Sequence, residues 1–206
     1  MCSSDLVSPT FGVFEMPYLI KDRDHMRKVR DEMGGVFVDA AAEKGYRLVG
    51  FWENGFRHVT NNVRPVNVPA DLEGIKLRTP KGEWRVKMFQ SYGANPTPMA
   101  FSEVFSALQT GMIEAVEVTP GNAVPTKLWE ALKTPYYSLT KHLLNVSGLF
   151  TGEEFWQSLP EPYRVIIQEE LETAALTANQ EVSDQDASLI QEMVDAGVTL
   201  VEPDLT

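Results

Sequence analysis

The chain has 206 residues, of which 43% are hydrophobic and 10% aromatic, enough for a packed core in one large or two small domains. Its formal charge of -11, from 29 acidic against 18 basic residues, argues against nucleic acid or an anionic membrane as a partner, because the long-range field repels phosphate. The sequence contains no run of roughly eighteen apolar residues, so direct membrane insertion is not expected.

The first six residues, MCSSDL, contain the single cysteine, Cys2, and show no periodicity. We interpret them as translated adapter sequence, and on that interpretation a natural N-terminal part with its signal peptide is missing. One cysteine excludes an internal disulfide, and His25, His58 and His142 lie too far apart for a ligand motif. The sequence therefore predicts no metal site and no cofactor.

A long helix and a crossing segment come first in the chain. Apolar residues recur at helical spacing over residues 22–44, with a possible break at Gly34-Gly35 and with Gly45 placed to end the helix. The following segment predicts a strand up to Trp52, a turn or bulge at Asn54-Gly55 and a second extended run.

Short strands and helices alternate through the middle of the chain, where Ser102 is a candidate N-cap. This alternation favours an α/β fold with mostly parallel strand pairing over a helical bundle or a β-sandwich. The predicted strands cover residues 75–78, 113–119, 136–140 and 142–150, and the predicted helices cover residues 83–92, 102–110 and 127–132.

The last third of the chain predicts one very long helix. Thr151 is a candidate cap for a short helix, and apolar positions then advance by three, four or seven over residues 160–196. Gly197 is placed to end this helix, and a short strand follows.

Three blocks, in this order and at this spacing, carry a family resemblance: FWENGFRHVTNNVRPV, LEGIKLRTP and GANPTPMAFSEVFSALQTG. Together they resemble the DctP-type solute-binding proteins of tripartite ATP-independent periplasmic (TRAP) transporters, over nearly the whole chain from about Thr10. The resemblance implies a two-lobed, type II-like periplasmic-binding-protein fold of the α/β class, with crossing strands and a long helix connecting the lobes. It implies binding of a small organic acid and delivery to TRAP permease subunits in the periplasm, and no enzyme activity.

The resemblance also implies a division into lobes. Residues 1–54 and 143–182 would form the remainder of lobe I, and residues 55–142 and 183–206 would form lobe II. Family members normally begin with a signal peptide and a first βα region, and neither is recognisable here, so the first lobe is expected to be incomplete.

The family's ligand contacts match particular positions of this sequence. The arginine that forms a two-pronged salt bridge with the ligand carboxylate matches Arg78, and a second arginine matches Arg57. The aromatic residue that packs over the ligand matches Phe101. Lys81 and Trp84 lie in the segment that often lines the pocket.

One family contact is replaced in this sequence. Many members carry a Gly-Gln-Glu-Asn-Pro run whose asparagine touches the ligand, and Val118 stands at the matching position. This replacement indicates a different ligand or ligand orientation. Glu117, Thr119 and Asn122 are the alternative polar residues of the pocket.

Physical chemistry supports the arginine independently of the resemblance. A planar guanidinium presents paired donors that match both oxygens of a carboxylate, which a lysine ammonium does not. Most arginines nevertheless lie at the surface or pair with a neighbouring acid, and Arg57 has Glu53 nearby as a structural partner. Trp84 and Trp156, judged on the sequence alone, are more typical of core residues.

Two other hypotheses remain open at this point. One is an α/β enzyme that acts on an organic acid through His58 or His142. The other is a remnant that binds nothing because one wall of the cleft is absent, which would leave apolar surface exposed at Tyr18, Leu19, Val49 and Phe51.

Overall fold

The structure is a computed structural model that describes residues 7–205, so the adapter interpretation of residues 1–6 lies outside the described residues. The helices are α1 (Arg23–Ala42), α2 (Glu83–Ser91), α3 (Val104–Gln109), α4 (Pro120–Ala123), α5 (Glu153–Ser158) and α6 (Glu161–Asp195). The strands are β1 (Tyr46–Asn61), β2 (Lys76–Thr79), β3 (Asn95–Pro98), β4 (Ala115–Val118), β5 (Tyr136–Gly152) and β6 (Thr199–Val201). Short 3₁₀ helices cover Pro9–Glu15, Pro69–Leu72, Phe101–Glu103 and Leu128–Ala131.

The strands form one six-stranded sheet in the order β3-β2-β4-β1-β5-β6. Strand β2 pairs in parallel with β3 and β4, and β5 pairs in parallel with β6. Strand β1 runs antiparallel to both of its neighbours. The sheet is therefore mixed, and the prediction of mostly parallel pairing is wrong for the long central ladder.

Strands β1 and β5 form that central ladder, and each is one long strand where the sequence predicted two pieces. The register shifts between Glu53 and Phe56, where Gly55 adopts a φ of +86°. A Cβ at Gly55 would lie 3.3 Å from Oδ1 of Asp186, so a side chain is disfavoured there by both conformation and space. The Asn54-Gly55 pair thus marks a bulge within a continuous strand.

The two long helices agree with the helical periodicity of the sequence. Helix α1 begins after Asp22, whose Oδ1 accepts a hydrogen bond of 2.7 Å from the His25 backbone N–H, and it runs through Gly34-Gly35 without a break. Gly45 follows its end with a φ of +77°. Helix α6 has 35 residues and lies across β1, where Asn179 accepts a hydrogen bond from the Glu53 backbone N–H at 2.8 Å.

Two predicted helix caps are wrong. Ser102 lies inside the 3₁₀ turn that precedes α3, and the Glu103 carboxylate accepts the Ala100 N–H there at 3.1 Å. Thr151 is still part of β5, and α5 begins only at Glu153.

The apolar core is divided into three clusters. The first lies between α1 and the outer part of the β1–β5 ladder, and the other two cover the two faces of the sheet around β2 and β4. The buried members of the first cluster are Phe11, Phe14, Ile20, Met26, Phe37, Ala40, Ala41, Leu48, Leu144 and Val146.

The surface expected of an incomplete lobe is only partly exposed. Tyr18 and Leu19 are exposed, whereas Val49 is buried and Phe51 is half-buried. Val49 is covered by α6, where the Gln168 side chain donates to its carbonyl oxygen at 3.3 Å. Within residues 7–205, no helix combines the length and the apolar character that crossing a membrane requires.

Candidate ligand-binding site

The candidate site is built on the carboxyl ends of β2, β3 and β4. These three strands run parallel, so the residues that follow them meet at one edge of the sheet. In open α/β sheets, ligands bind outside this edge. His58 of β1 pairs with Val118 of β4, and the residues of β1 before His58 pair only with β5. The edge therefore lies beside Arg57, the residue of β1 that precedes His58.

Arg78 is the penultimate residue of β2, and its side chain is held from one side. Its Nε and Nη2 both donate to the carbonyl oxygen of Met99, at 3.1 and 2.8 Å. This uses the Nε–Nη2 edge of the guanidinium and leaves the Nη1–Nη2 edge, with its two parallel N–H bonds, for another acceptor. The geometry therefore orients a donor pair that suits a carboxylate.

The electrostatic state of Arg78 is that of a buried cation without an acidic partner. The residue is only 4% exposed, and no carboxylate of residues 7–205 forms an ion pair with it. The pKa of Arg78 is lowered to about 10, chiefly by burial and also by the charges of Arg57 and Arg85, which together outweigh the opposing effect of Glu117. Arg78 thus stays charged at neutral pH, and a bound anion would stabilise this buried charge.

Phe101 stands next to this guanidinium. The central carbon of the Arg78 guanidinium lies 5.6 Å from the centroid of the Phe101 ring, which is a cation–π distance. The ring is partly buried at the start of the turn before α3 and packs against the core. The structure therefore brings together Arg78 and Phe101, two of the residues predicted for the site.

Arg57 belongs to a buried network of ionisable residues. Its guanidinium bonds to the Glu117 carboxylate, which also accepts from Nη1 of Arg85 at 3.1 Å. Arg85 bonds in addition to Glu15, and Nε2 of His142 lies 3.4 Å from Oε2 of Glu117. The network links β1, β4, α2, β5 and the 3₁₀ helix Pro9–Glu15.

The predicted partner of Arg57 is wrong. Glu53 pairs instead with Arg23, at 3.2 Å, and Arg57 pairs with Glu117. The third guanidinium nitrogen of Arg57 lies 3.4 Å from Oδ1 of Asn145, so all three nitrogens have protein acceptors. These bonds use three of the five guanidinium N–H groups, so direct ligand contact by Arg57 would have to use one of the two remaining Nη N–H groups.

The two acids of the network are embedded among arginines. Burial raises the pKa of Glu117, but Arg57 and Arg85 outweigh it and hold that pKa well below its usual range. Burial lowers the pKa of Arg85, and Glu117 and Glu15 more than reverse this. With Arg78 included, three arginines face two acids, which leaves one positive charge uncompensated within a chain of net charge -11.

Val118, Thr119 and Asn122 lie where β4 ends. Val118 is a core residue on the sheet face opposite Glu117, so it presents no surface to a ligand. The Thr119 hydroxyl accepts a hydrogen bond of 2.9 Å from the Asn122 amide. Both residues line a pocket of about 110 Å³, together with Asn54 and with Asp186 of α6.

Lys81 and Trp84 lie on the loop and first turn after β2 and are exposed. Trp84 is 40% exposed, with Nζ of Lys87 5.6 Å from its ring centroid, so the interpretation of Trp84 as a core residue is wrong. Trp156 is buried, which confirms the same interpretation for that residue.

Sequence reasoning missed Arg85 and Glu15. The signal was present for Arg85, because it shares one helical face with Met88 and Phe89, three and four positions on, and both are buried. Glu15 ends an apolar run that includes Phe11 and Phe14. A charged residue inside an apolar stripe indicates a buried partner.

His58 and His142 are buried, and both are neutral at pH 7. Nδ1 of His58 accepts the Lys141 N–H at 3.2 Å, and its ring packs edge-on against Tyr137. His142 packs against Phe89, and its Nδ1 lies 2.8 Å from the Thr140 hydroxyl. Burial lowers the pKa of both side chains.

His58 leads to a prediction on pH and stability. Burial, together with the charges of His142, Lys141 and Arg57, lowers the His58 pKa from 6.5 to about 3. Below pH 6.5 the His58 side chain is protonated in the unfolded chain but stays neutral in the folded chain. The free energy of unfolding should therefore fall, as the pH decreases to 3, by up to about 1.4 kcal/mol per pH unit. The free energy of unfolding, measured with urea at a series of pH values, should fall less steeply with decreasing pH in His58→Gln between pH 6 and 4, by up to the same amount per pH unit. Above pH 7 the pH dependence of variant and wild type should coincide. An equally steep fall in the variant between pH 6 and 4 would contradict the prediction.

The fold and this edge define a class: a two-lobed α/β protein with a buried arginine at the carboxyl edge of its parallel strands. The family comparison specifies it further, since the model of bacterial extracellular solute-binding protein family 7, DctP, matches residues 2–205. The chain belongs to this family, which consists of solute-binding proteins and not of enzymes.

Curated relatives agree with this assignment. A solute-binding protein of Chromohalobacter salexigens is 33% identical over 199 residues, and the 2,3-diketo-L-gulonate-binding periplasmic protein of Escherichia coli is 32% identical over 197 residues. These alignments cover 96% and 95% of the chain but only 59% of each relative. The chain thus spans about three fifths of the length of these relatives.

Solved structures show the same fold. A TRAP periplasmic solute-binding protein from Sulfitobacter sp. NAS-14.1, with bound β-D-galacturonate, superposes with a TM-score of 0.92 at 29% identity. One from Chromohalobacter salexigens with bound D-glucuronate gives a TM-score of 0.91 at 33% identity. Each superposition covers 97% of this chain and 66% of the other protein.

Proposed function

We propose that this chain is the solute-binding subunit of a TRAP transporter, that it captures a small organic acid through Arg78 in the periplasm, and that it delivers the acid to membrane permease subunits. The observation that carries the proposal is the buried Arg78 guanidinium, which has no acidic partner among residues 7–205 and keeps one donor edge free. A carboxylate there would neutralise the one uncompensated charge of the arginine cluster. Phe101 would cover the apolar face of the bound acid.

The ligands of relatives favour a carboxylate as the recognised group. Relatives are named for sialic acid, C4-dicarboxylates and 2,3-diketo-L-gulonate, and solved structures contain glucuronate, galacturonate and succinate. These molecules differ in size and hydroxylation and share a carboxylate. Arg78 accounts for the shared group, while Thr119, Asn122, Lys81 and Trp84 are proposed to select among the acids.

The apolar clusters support the proposed lobe boundaries. The buried members of the first cluster all come from residues 1–54 and 143–182. Those of the other two clusters all come from residues 55–142 and 183–206. Each proposed lobe therefore has its own core, as units that move relative to one another require. The β1–β5 ladder and α6 connect them.

Calorimetry with a small panel of acids tests the proposal. Titration with D-glucuronate, D-galacturonate and succinate should give binding to at least one acid with a Kd in the micromolar range, about -8 kcal/mol. D-Glucose is the matched control for D-glucuronate, because a neutral hydroxymethyl group replaces the carboxylate, and it should give no binding heat. NMR of the recovered ligand should show no product, whereas turnover would support the enzyme hypothesis. A monodisperse, cooperatively melting chain would count against the remnant hypothesis, and binding of any of the acids would exclude it.

A further inference from the structure

The 3₁₀ helix Pro9–Glu15 and the first turn of α2 meet along a narrow seam. Arg85, in the first turn of α2, bonds through Nε to the Glu15 carboxylate, and both side chains are buried. At the same seam, a Cβ placed on Gly12 would lie 3.1 Å from Nε1 of Trp84. The contact thus joins an ion pair with close steric packing.

The seam connects residues that belong to different cores. Phe11 and Phe14, in the same 3₁₀ helix as Gly12 and Glu15, pack with Phe37 in the first cluster. Met88 and Phe89, on the same face of α2 as Arg85, belong to a cluster of the sheet around β2. In the lobe division proposed above, Glu15 is in lobe I and Arg85 is in lobe II.

The contact also balances buried charge. Arg85 also donates to Glu117, and Glu117 is shared with Arg57. If the lobes separate at this seam, Glu117 alone faces both arginines, and the acid that balances the second arginine is removed. Separation must then admit water to solvate Arg85, which favours the closed arrangement.

We propose that Glu15 is a positioning residue that holds the two lobes together through Arg85 and thereby sets how long a ligand stays bound, without touching the ligand. The inference rests on the proposed function for its effect on binding, but the closure itself does not depend on a ligand. Because only the closed form encloses a ligand, a smaller closed population lowers the apparent affinity in proportion. Breaking a buried charge pair acts mainly on dissociation.

The test measures the distance between lobes without ligand. Spin labels are placed on Glu32→Cys of α1 and Gln109→Cys of α3, both exposed, in a Cys2→Ser background of the full chain. Double electron–electron resonance should give a longer mean distance for Glu15→Gln than for the wild type. Glu153→Gln is the control, because it weakens the Arg47–Glu153 pair within one proposed lobe, and it should leave the distance unchanged.

Stopped-flow dissociation of D-glucuronate gives the second measurement. Glu15→Gln should release it roughly tenfold faster or more, with an association rate close to that of the wild type. Arg85→Lys keeps the charge but lacks the fork that reaches both acids, so it should change the distance and the dissociation rate in the same direction if Glu15→Gln does not fold. Unchanged distances in the folded variants would overturn the inference. A shift in distance without any D-glucuronate binding to the wild type would support the inference and count against the proposed function.

Discussion

Replacing Arg78 by alanine is expected to weaken the binding of the preferred acid by roughly 100- to 10,000-fold, which corresponds to about 3 to 6 kcal/mol. The Nη1–Nη2 edge offers two charge-assisted hydrogen bonds, and each contributes about 1.5 to 3 kcal/mol when water is excluded. Arg78→Lys retains the charge but offers a single point donor, so its loss should be roughly 10- to 100-fold. Calorimetric titration with D-glucuronate, D-galacturonate and succinate measures both variants.

Folding must be shown to be intact for this result to bear on the site. Arg78 forms no ion pair with a protein acid within the described residues, so its removal leaves no carboxylate unpaired, and thermal melting by circular dichroism should stay cooperative. Arg47→Ala is the matched control, because this partly exposed arginine pairs with Glu153 at the far end of the β1–β5 ladder. Its affinity should equal that of the wild type. Wild-type affinity in Arg78→Ala would remove Arg78 from the site.

Local sequence rules predicted the helices and the arginine at the end of β2. Helical spacing identified α1 and α6, because each presents an apolar stripe to the sheet, and Gly45 and Gly197 follow their ends at positive φ. Arg78 was identified by the motif around it, and its donor geometry explains why arginine suits the position.

Long-range pairing decided what the local rules did not. Asn54-Gly55 has the composition of a turn, yet β1 continues through it because β5 pairs with β1 on both sides of the bulge. In the same way, β5 continues through Lys141 although that residue takes a positive φ of 44°. The two strands predicted on either side of Lys141 are therefore one. Strand continuity depends on a partner distant in sequence, which composition does not reveal.

The buried charge network shows the same limit. Glu53 is close to Arg57 in the sequence, but the partner of Arg57 is Glu117, sixty residues away and on the neighbouring part of the sheet. Arg85 and Glu15 could each have been recognised as buried from their places beside apolar residues, but their pairing could not. Pairings of this kind follow from topology and appear only when β1, β4 and α2 are placed together.

Glu117→Gln is expected to lower the free energy of unfolding by about 3 to 5 kcal/mol, because it removes the acid shared by Arg57 and Arg85 and leaves buried positive charge uncompensated. Glu117 has no exposed surface, so water cannot replace the lost carboxylate without local opening. Urea unfolding at pH 7 measures the change. Glu130→Gln is the control, since its pair with Lys127 is exposed, and the change there should stay below about 1 kcal/mol.

The pH dependence of this variant identifies the carboxylate charge as the cause. The pKa of Glu117 is held well below its usual value of 4.5, so its contribution is complete above that pH and is lost as the pH falls further. The difference in unfolding free energy between wild type and Glu117→Gln should therefore be constant from pH 8 to 5 and shrink below about 4.5, by up to about 1.4 kcal/mol per pH unit. A difference that persists undiminished to pH 3 would assign the effect to packing, because a neutral glutamine and a protonated glutamate offer Arg57 and Arg85 the same charge.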